Sequence, residues 1–509
     1  MTSHRIVFRN GVVHTGDAVE ASFVAVQDGI IVHVGADTAA YDDADELVDL
    51  RGALLAPAFV DAHVHSVLTG FGLTRLDLRA TRSLAEALDA VATLARMQPT
   101  GVLVGTGWEE HAWPEGRPPT AAELDRAAPG RLVLLERRDC HSCIVSPSLL
   151  DVVPVLAGTD GFDASGRLER DARQAASEAL GTLVGPEQRL VAARAAVQAM
   201  AAAGIAGFHE AAAPHIGPAY ELDLVRHAAE LTGLLPTFYW GQRDAFDRLA
   251  ELGAAGLAGD LNVDGAIGSR TAALHHGYDD DPDNHGHTFL SPEEIAEHLE
   301  ACTRAGVQGG FHCIGEAGLD AVVVGLTLLV ERVGADAVRA ARHRLEHVEM
   351  PSPELIARLA ELGIVASMQP AFDALWGGPD QMYATRLGER WHDMNPLGSM
   401  HRAGVAMAFG SDTPVTPIDP WGAVRSAIEH RDVTQRITPT AAFEAHTAGG
   451  WHAARQDGVG RVRTGAPAHL AVWDCAGGLE GTLPLLAEDV PAPALRTLYV
   501  HGRAVGREA

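Results

Sequence analysis

Two histidines one residue apart follow an apolar run near the N-terminus, in Phe59-Val60-Asp61-Ala62-His63-Val64-His65. Along an extended strand alternate side chains share a face, so His63 and His65 can address one ion. Neutral imidazoles suit zinc, and two ligands on one rigid strand lose little freedom on binding. With 25 histidines in the chain, a single HxH pair also arises by chance. Three later residues extend the pattern. His312 ends the run Gly309–Phe311, His347 ends Arg342-His-Arg-Leu-Glu-His347, and Asp412 ends Met407-Ala-Phe-Gly-Ser-Asp412. Taken singly, each is more often a hydrogen-bonded structural residue. Taken in order, they place metal-competent or base-competent side chains at the ends of four expected strands. Residues of these types could hold a zinc ion, which lowers the pKa of its water to about 7. A neighbouring carboxylate can then carry the proton to a leaving group.

Such a set needs a scaffold that gathers strand ends. Apolar runs alternate with Ala/Leu-rich stretches through the middle of the chain, the βαβ rhythm of a parallel sheet. Eight candidate strands are Leu54–His63, Ile205–His209, Leu235–Tyr239, Leu261–Asp264, Gly309–His312, Arg344–His347, Ile364–Met368 and Val405–Gly410. They predict an α/β fold, a (β/α)8 TIM-like barrel whose chemistry sits at the C-terminal ends of the strands. Both ends of the chain have another texture. Arg5–Asn10, Gly11–His14, Ser22–Gln27 and Ile30–Val34 alternate with period two around NG and DG turns. His469–Trp473, Leu498–Gly502 and Arg503–Val505 repeat that texture. The expected division is a β-sandwich domain from residues 1–56 and 455–509, and a barrel from 57–454. An insertion after the first barrel strand, about 66–204, has its own strands at Val102–Gly105 and Leu132–Leu135. It is expected to form a wall of the pocket.

Composition narrows the partners. The 509 residues hold 47% hydrophobic and 21% charged side chains, enough for a large core. The net charge of −28 and the lack of any basic run speak against nucleic acid and anionic membranes. No 18-residue apolar stretch predicts a membrane span, and Met1–Ile30 has no apolar segment behind a basic start. Five cysteines, Cys140, Cys143, Cys302, Cys313 and Cys475, are odd in number and scattered. They suggest a reducing cytoplasm over a disulfide framework, and the Cys140/Cys143 pair reads as two structural thiols. The expected partner is a small molecule, with homo-oligomerisation left open.

The ordered motifs resemble the amidohydrolase superfamily, in the branch that includes N-substituted formamide deformylase. The similarity covers Leu55-Ala-Pro-Ala-Phe-Val-Asp-Ala-His-Val-His65, Gly105-Thr-Gly-Trp108 and Pro119-Thr-x-x-Glu-Leu-Asp125. It continues through Asp264-Gly-Ala-Ile-Gly-Ser-Arg-Thr-Ala-Ala273, Phe311-His-Cys-Ile-Gly-Glu316, Arg344-Leu-Glu-His347, Gly410-Ser-Asp412 and Gly465-Ala-Pro-Ala-His-Leu-Ala-Val-Trp473. The resemblance implies a metal-dependent hydrolase of C–N bonds, with His63 and His65 on the more buried metal. It makes His312 and His347 further ligands, or groups that hold substrate beside a single metal. Asp412 becomes a metal contact and general base. A deaminase, or a non-hydrolytic lyase or isomerase, uses the same scaffold and stays open.

Two departures from the family pattern bear on the site. Relatives commonly carry a lysine four residues before Asp264-Gly265, and its carbamylated form bridges two metals. Here Asp260 stands at that position, and the chain contains no lysine. An aspartate is too short to reach where that lysine ends, which favours one Zn²⁺ over two. Asp260 and Glu210 are the candidate bridging carboxylates if there are two. In the loop Arg138-Asp-Cys-His141-Ser-Cys143 only the histidine matches, so His141 is a candidate substrate contact or a solvated loop residue. Trp108, with His111 and Trp113 nearby, suits a flat apolar substrate or simple core packing. Arg270 is expected to recognise a carboxylate or to brace Asp264.

Overall fold

In the computed structural model the described residues are 4–16, 21–36, 44–110, 113–137 and 142–506. They form two compact units, one from 1–66 and 197–509 and the other from 67–196.

The first unit contains an eight-stranded parallel barrel. Its strands are β1 (Phe59–Val64), β2 (Ile205–Ala212), β3 (Leu235–Trp240), β4 (Ala254–Leu257), β5 (Gln308–Cys313), β6 (Arg344–His347), β7 (Val365–Met368) and β8 (Met407–Phe409). Every residue of β1, β6, β7 and β8 is buried, as expected of strands covered on both faces. Closure comes from the segment after β8. Asp412 donates its backbone N–H to the His63 carbonyl (2.8 Å), and His65 donates to the Thr413 carbonyl (3.0 Å). Gly410 permits this approach: a Cβ there would lie 2.5 Å from the His63 nitrogen.

One barrel strand differs from the sequence expectation. The fourth is Ala254-Ala-Gly-Leu257, and Leu261–Asp264 lies beyond its end. The true strand is short and built of small residues because β5 crowds it; a Cβ on Gly256 would sit 2.1 Å from the Gln308 carbonyl oxygen. Small residues carry little of the β-branched signal that marks strands. The chain then turns at Gly259, with φ +80, and Leu261 and Val263 pair with His312.

Helices pack outside the strands with ordinary signals. Pro292–Ala305 starts in a capping box of Ser291 and Glu294, has proline in its first turn, and ends at Gly306 in the left-handed region. It buries Ile295, Leu299 and Cys302.

The strands near both termini form two sheets. Arg5–Arg9, Phe23–Gln27, Ile30–Gly35 and Glu46–Asp49 make one. Val12–Val13, Leu54–Pro57, Leu470–Asp474, Ala494–Val500 and Arg503–Ala504 make the other, with Leu54–Pro57 antiparallel to Leu470–Asp474. Phe8, Val24, Val26, Ile31, Leu55, Leu470, Val472 and Tyr499 fill the core between them. Asp28 (φ +50) and Gly29 (φ +83) supply the paired left-handed residues that a tight hairpin requires. The expected run Leu54–His63 is thus two strands, parted at Ala58.

The unit 67–196 has its own five-stranded sheet of Leu76–Asp77, Leu103–Trp108, Val133–Arg137, Ser142–Val145 and Arg167–Glu169. The helices Leu84–Met97 and Ala121–Ala127 cover Leu103, Trp108, Val133, Leu135 and Ile144. Among the described residues no helix is long and apolar enough to cross a membrane.

Candidate metal centre

The strand ends of the barrel bring four imidazoles and two carboxylates together. His65 Nε2 lies 3.2 Å from Asp412 Oδ1 and 3.3 Å from Asp260 Oδ2. His63 Nε2 lies 3.3 Å from Asp260 Oδ1 and 3.6 Å from Asp412 Oδ1. His312 Nδ1 and His347 Nε2 face the same Asp260 oxygen at 3.9 and 4.0 Å. All five residues expected as ligands therefore converge, and Asp260 stands at their centre.

Partners outside the cluster decide which ring nitrogen faces it. His63 donates from Nδ1 to Glu346 Oε2 (2.9 Å), His347 donates from Nδ1 to Gln369 Oε1 (2.8 Å), and His312 uses Nε2 on the Gly265 carbonyl (3.2 Å). Each contact turns the other ring nitrogen toward the cluster, the arrangement that orients metal-binding histidines. Glu346 is itself clamped by Arg344, whose Nε and second terminal nitrogen donate at 2.5 and 2.9 Å. Burial would raise the Glu346 carboxyl, but the Arg344 guanidinium and the His63 hydrogen bond hold it far below its ordinary range. Arg344 reaches on to His209 Nδ1 (3.0 Å) and the Ala62 carbonyl (2.7 Å).

Electrostatics fit a cation. Burial opposes charge on Asp260, yet His63 and His65 hold it ionised, well below the usual carboxylate range. Burial lowers the His65 imidazole, but Asp260 and Asp412 more than offset this and raise it to about 10. His347 is pushed down by burial and stays neutral. Asp412 (φ +53) and His347 (φ +72) both occupy the left-handed region, strain that non-glycine residues bear chiefly at functional sites.

The donor set suits a divalent transition metal. Ligands at about 2.0–2.1 Å around a tetrahedral ion lie roughly 3.4 Å apart, close to the separations measured here. His63, His65 and Asp412 offer ligand atoms all within 4.8 Å of one another, as do His63, Asp260 and His347. His63 Nε2 and Asp260 Oδ1 are buried polar atoms with no hydrogen-bond partner in good geometry. A metal ion would satisfy both.

Other expected residues are placed elsewhere. Glu210, the alternative bridging carboxylate, is occupied by Ser66: it accepts the backbone N–H at 3.1 Å on each oxygen and a short bond from the hydroxyl. Burial raises its carboxyl to about 7. Arg270 pairs with Asp280, at 2.7 and 3.0 Å, and not with Asp264. Asp264 instead accepts from the backbone N–H groups of Ala273, Ile314 and Gly315, pinning the loop beside His312. Trp108 is a core residue of its unit, fully buried, with its indole N–H on the Leu135 carbonyl (3.0 Å). His141, His111 and Cys140 lie outside the described residues; Cys143 is a buried free thiol that burial raises to about 12. Asp61, within the HxH motif, is a tie rather than a ligand: it accepts from the Ser411 backbone N–H (2.8 Å) and joins β1 to the end of β8.

Sequence reasoning gave no role to Arg344, Glu346 or Gln369. Arg344-x-Glu346 was a readable signal, since two opposite charges one residue apart on a strand share a face. It also passed over His215, exposed on the loop after β2, whose imidazole is lowered by partial burial and tuned by Asp260, His312 and His65.

Comparison with known proteins accords with this geometry. The amidohydrolase family model matches residues 46–505. The chain belongs to the amidohydrolase family. That family acts on carbon–nitrogen bonds other than peptide bonds, so the amidohydrolase described here is an enzyme. It is similar to N-substituted formamide deformylase of Arthrobacter pascens, with 27% identity covering 93% of this chain and 94% of the relative. Among solved structures, an uncharacterized metal-dependent hydrolase from Pyrococcus furiosus shares the fold at a TM-score of 0.77 and 23% identity, covering 92% and 98% of the two chains. A zinc complex of atrazine chlorohydrolase from Arthrobacter aurescens shares it at a TM-score of 0.54 and 16% identity, covering 98% and 94%.

Proposed function

We propose that this amidohydrolase cleaves the C–N bond of an amide, formamide or cyclic amide in a small molecule, using water activated at a Zn²⁺ centre. The observation that carries the reading is the convergence of His63, His65, His347, His312 and Asp412 at the C-terminal ends of the barrel strands. N-substituted formamide deformylase, similar over nearly the whole chain, suggests the amide class, and the zinc complex of the atrazine chlorohydrolase suggests the metal.

His63, His65 and Asp412 would hold the ion, with His347 and His312 beside them. When bound, zinc supplies a Lewis acid for the scissile carbonyl and lowers the pKa of water. Asp412 accepts the proton that water loses as its oxygen bonds to the carbonyl carbon, then delivers it to the nitrogen as the C–N bond breaks. Gln369 fixes the Nδ1–H form of His347, so its inward Nε2 serves as a ligand and not as a hydrogen-bond donor to substrate. Glu346 does the same for His63.

A panel of N-substituted formamides, simple amides and cyclic amides tests this with the zinc-loaded enzyme. Release of an amine with formate or another carboxylate is expected. Ammonia released from an aromatic ring would instead identify a deaminase. Undiminished zinc content in a His63→Ala/His65→Ala double variant would remove the metal assignment.

A further inference from the structure

The sequence expectation of one ion rested on the reach of Asp260, and the structure removes that objection. Because β4 ends at Leu257 and the backbone turns at Gly259, the main chain itself carries the Asp260 carboxylate in among the imidazoles. We infer that Asp260 is a bridging ligand between two divalent ions, and that this centre assembles without any modified lysine. The inference rests on the metal-centre reading above and extends it.

Two observations lead there. The first is the number of donors. Four inward ring nitrogens and two carboxylates surround one point, whereas a catalytic zinc takes three protein ligands and keeps a fourth position open. Among the described residues, His63 Nε2 and Asp260 Oδ1 are buried there with no hydrogen-bond partner, a cost that buried polar groups rarely bear. The second is how the two oxygens of Asp260 are shared. Oδ2 faces His65 at 3.3 Å, and His65 also faces Asp412. Oδ1 faces His63 at 3.3 Å and, farther off, His312 at 3.9 Å and His347 at 4.0 Å. A carboxylate with one oxygen on each of two donor groups is the geometry of a bridge. One ion then sits with His63, His65 and Asp412, the other with His312 and His347.

The same point bears on how the centre is made. The chain contains no lysine, so carbon dioxide has no side-chain amine with which to form a carbamate ligand. Asp260 stands among the imidazoles as soon as the barrel folds.

The test uses the full-length protein, stripped of metal and reloaded with Zn²⁺ or Co²⁺ alone. Two ions per chain are expected, with the same stoichiometry in carbon dioxide-depleted buffer and in bicarbonate. The Co²⁺ form should show magnetic coupling between the ions by electron paramagnetic resonance. In Asp260→Asn the coupling should vanish. The affinity for the second ion should fall by more than the about 10–100-fold that loss of an outer-shell partner costs, leaving one ion. His312→Ala should likewise retain one. A single ion per wild-type chain at saturating metal would overturn the bridge while leaving the hydrolase reading intact. So would a bicarbonate requirement, or two coupled ions surviving in Asp260→Asn. The wild-type arms stand even if that variant does not fold.

Discussion

Replacing Glu346 by glutamine removes the carboxylate that pairs with Arg344, and among the described residues no other carboxylate forms an ion pair with it. Both side chains are essentially fully buried. The remaining partners of Arg344 are neutral: the Ala62 carbonyl at 2.7 Å, the Ser367 hydroxyl at 3.1 Å and His209 Nδ1 at 3.0 Å. Breaking a buried pair by neutralising one member costs about 3–5 kcal/mol, because the other charge is left in the core. The melting entropy of a unit this size is about 0.8 kcal/mol per kelvin, so Glu346→Gln should lower its Tm by about 4–6 °C. A second effect is separable from the first. Glutamine has one acceptor oxygen and turns an N–H₂ group toward either Arg344 or His63, so His63 loses its fixed orientation. Affinity for Zn²⁺ should fall about 10–100-fold. Calorimetric melting of the metal-free protein and zinc titration measure the two effects independently. The double variant Arg344→Met/Glu346→Leu should recover much of the Tm, since a buried pair can be replaced by apolar residues of similar volume. It should not recover zinc affinity. A Glu346→Gln protein that melts within about 1 °C of wild type, less than a lost buried pair predicts, and binds zinc equally well would refute this account of the network.

Asp412→Asn should lower kcat by about 10²–10⁴ with far less loss of zinc, because asparagine keeps the shape but cannot take a proton; a kcat within about tenfold of wild type at full occupancy removes it as the base. His343 is fully buried between the Gly309 N–H (3.0 Å) and the Thr303 hydroxyl (2.9 Å), and burial lowers its pKa to about 3. The unfolded chain binds a proton there below about pH 6.5 that the folded chain refuses, so stability falls as pH falls. In His343→Gln that loss disappears, and the stability gap from wild type should shrink by about 1.4 kcal/mol per unit between pH 6 and 4 in denaturant titrations; a constant gap contradicts this. We also propose that the two chain ends fold as one domain, residues 1–56 with 455–509. Deleting residues 465–509 should yield insoluble protein, since Leu54–Pro57 loses its partner Leu470–Asp474 and presents an open edge; a soluble, monodisperse truncation with native-like melting argues against it.

What could be read from the sequence is what a single strand announces. His63 and His65 follow from two-residue alternation, and His312, His347 and Asp412 from polar residues closing apolar runs. The barrel followed from the rhythm of those runs. What could not be read depends on partners far away in the chain. The inward nitrogen of His63 is set by Glu346 and that of His347 by Gln369, and no spacing rule connects those pairs. The fourth barrel strand was misplaced at Leu261–Asp264 because the true one, Ala254–Leu257, is written in alanine and glycine. The pairing of Arg270 with Asp280 likewise has no spacing rule behind it.

The strand that carries His63 and His65 is separated by Ala58 alone from Leu54–Pro57, which lies in the sheet shared by both chain ends. That continuity imposes an order of events on synthesis. The first two ligands leave the ribosome early, yet the strand feeding them has no complete sheet until residues 470–474 have followed. The barrel seam at His63 and His65 cannot seal before Asp412 and Thr413 emerge. For most of translation the nascent chain therefore presents an unpaired apolar edge beside half-assembled metal ligands. Contacts this distant in sequence form slowly, and species with such edges are prone to aggregate. The burden on chaperones, and the yield of active enzyme, thus depend on residues 470–474 as much as on the metal site itself.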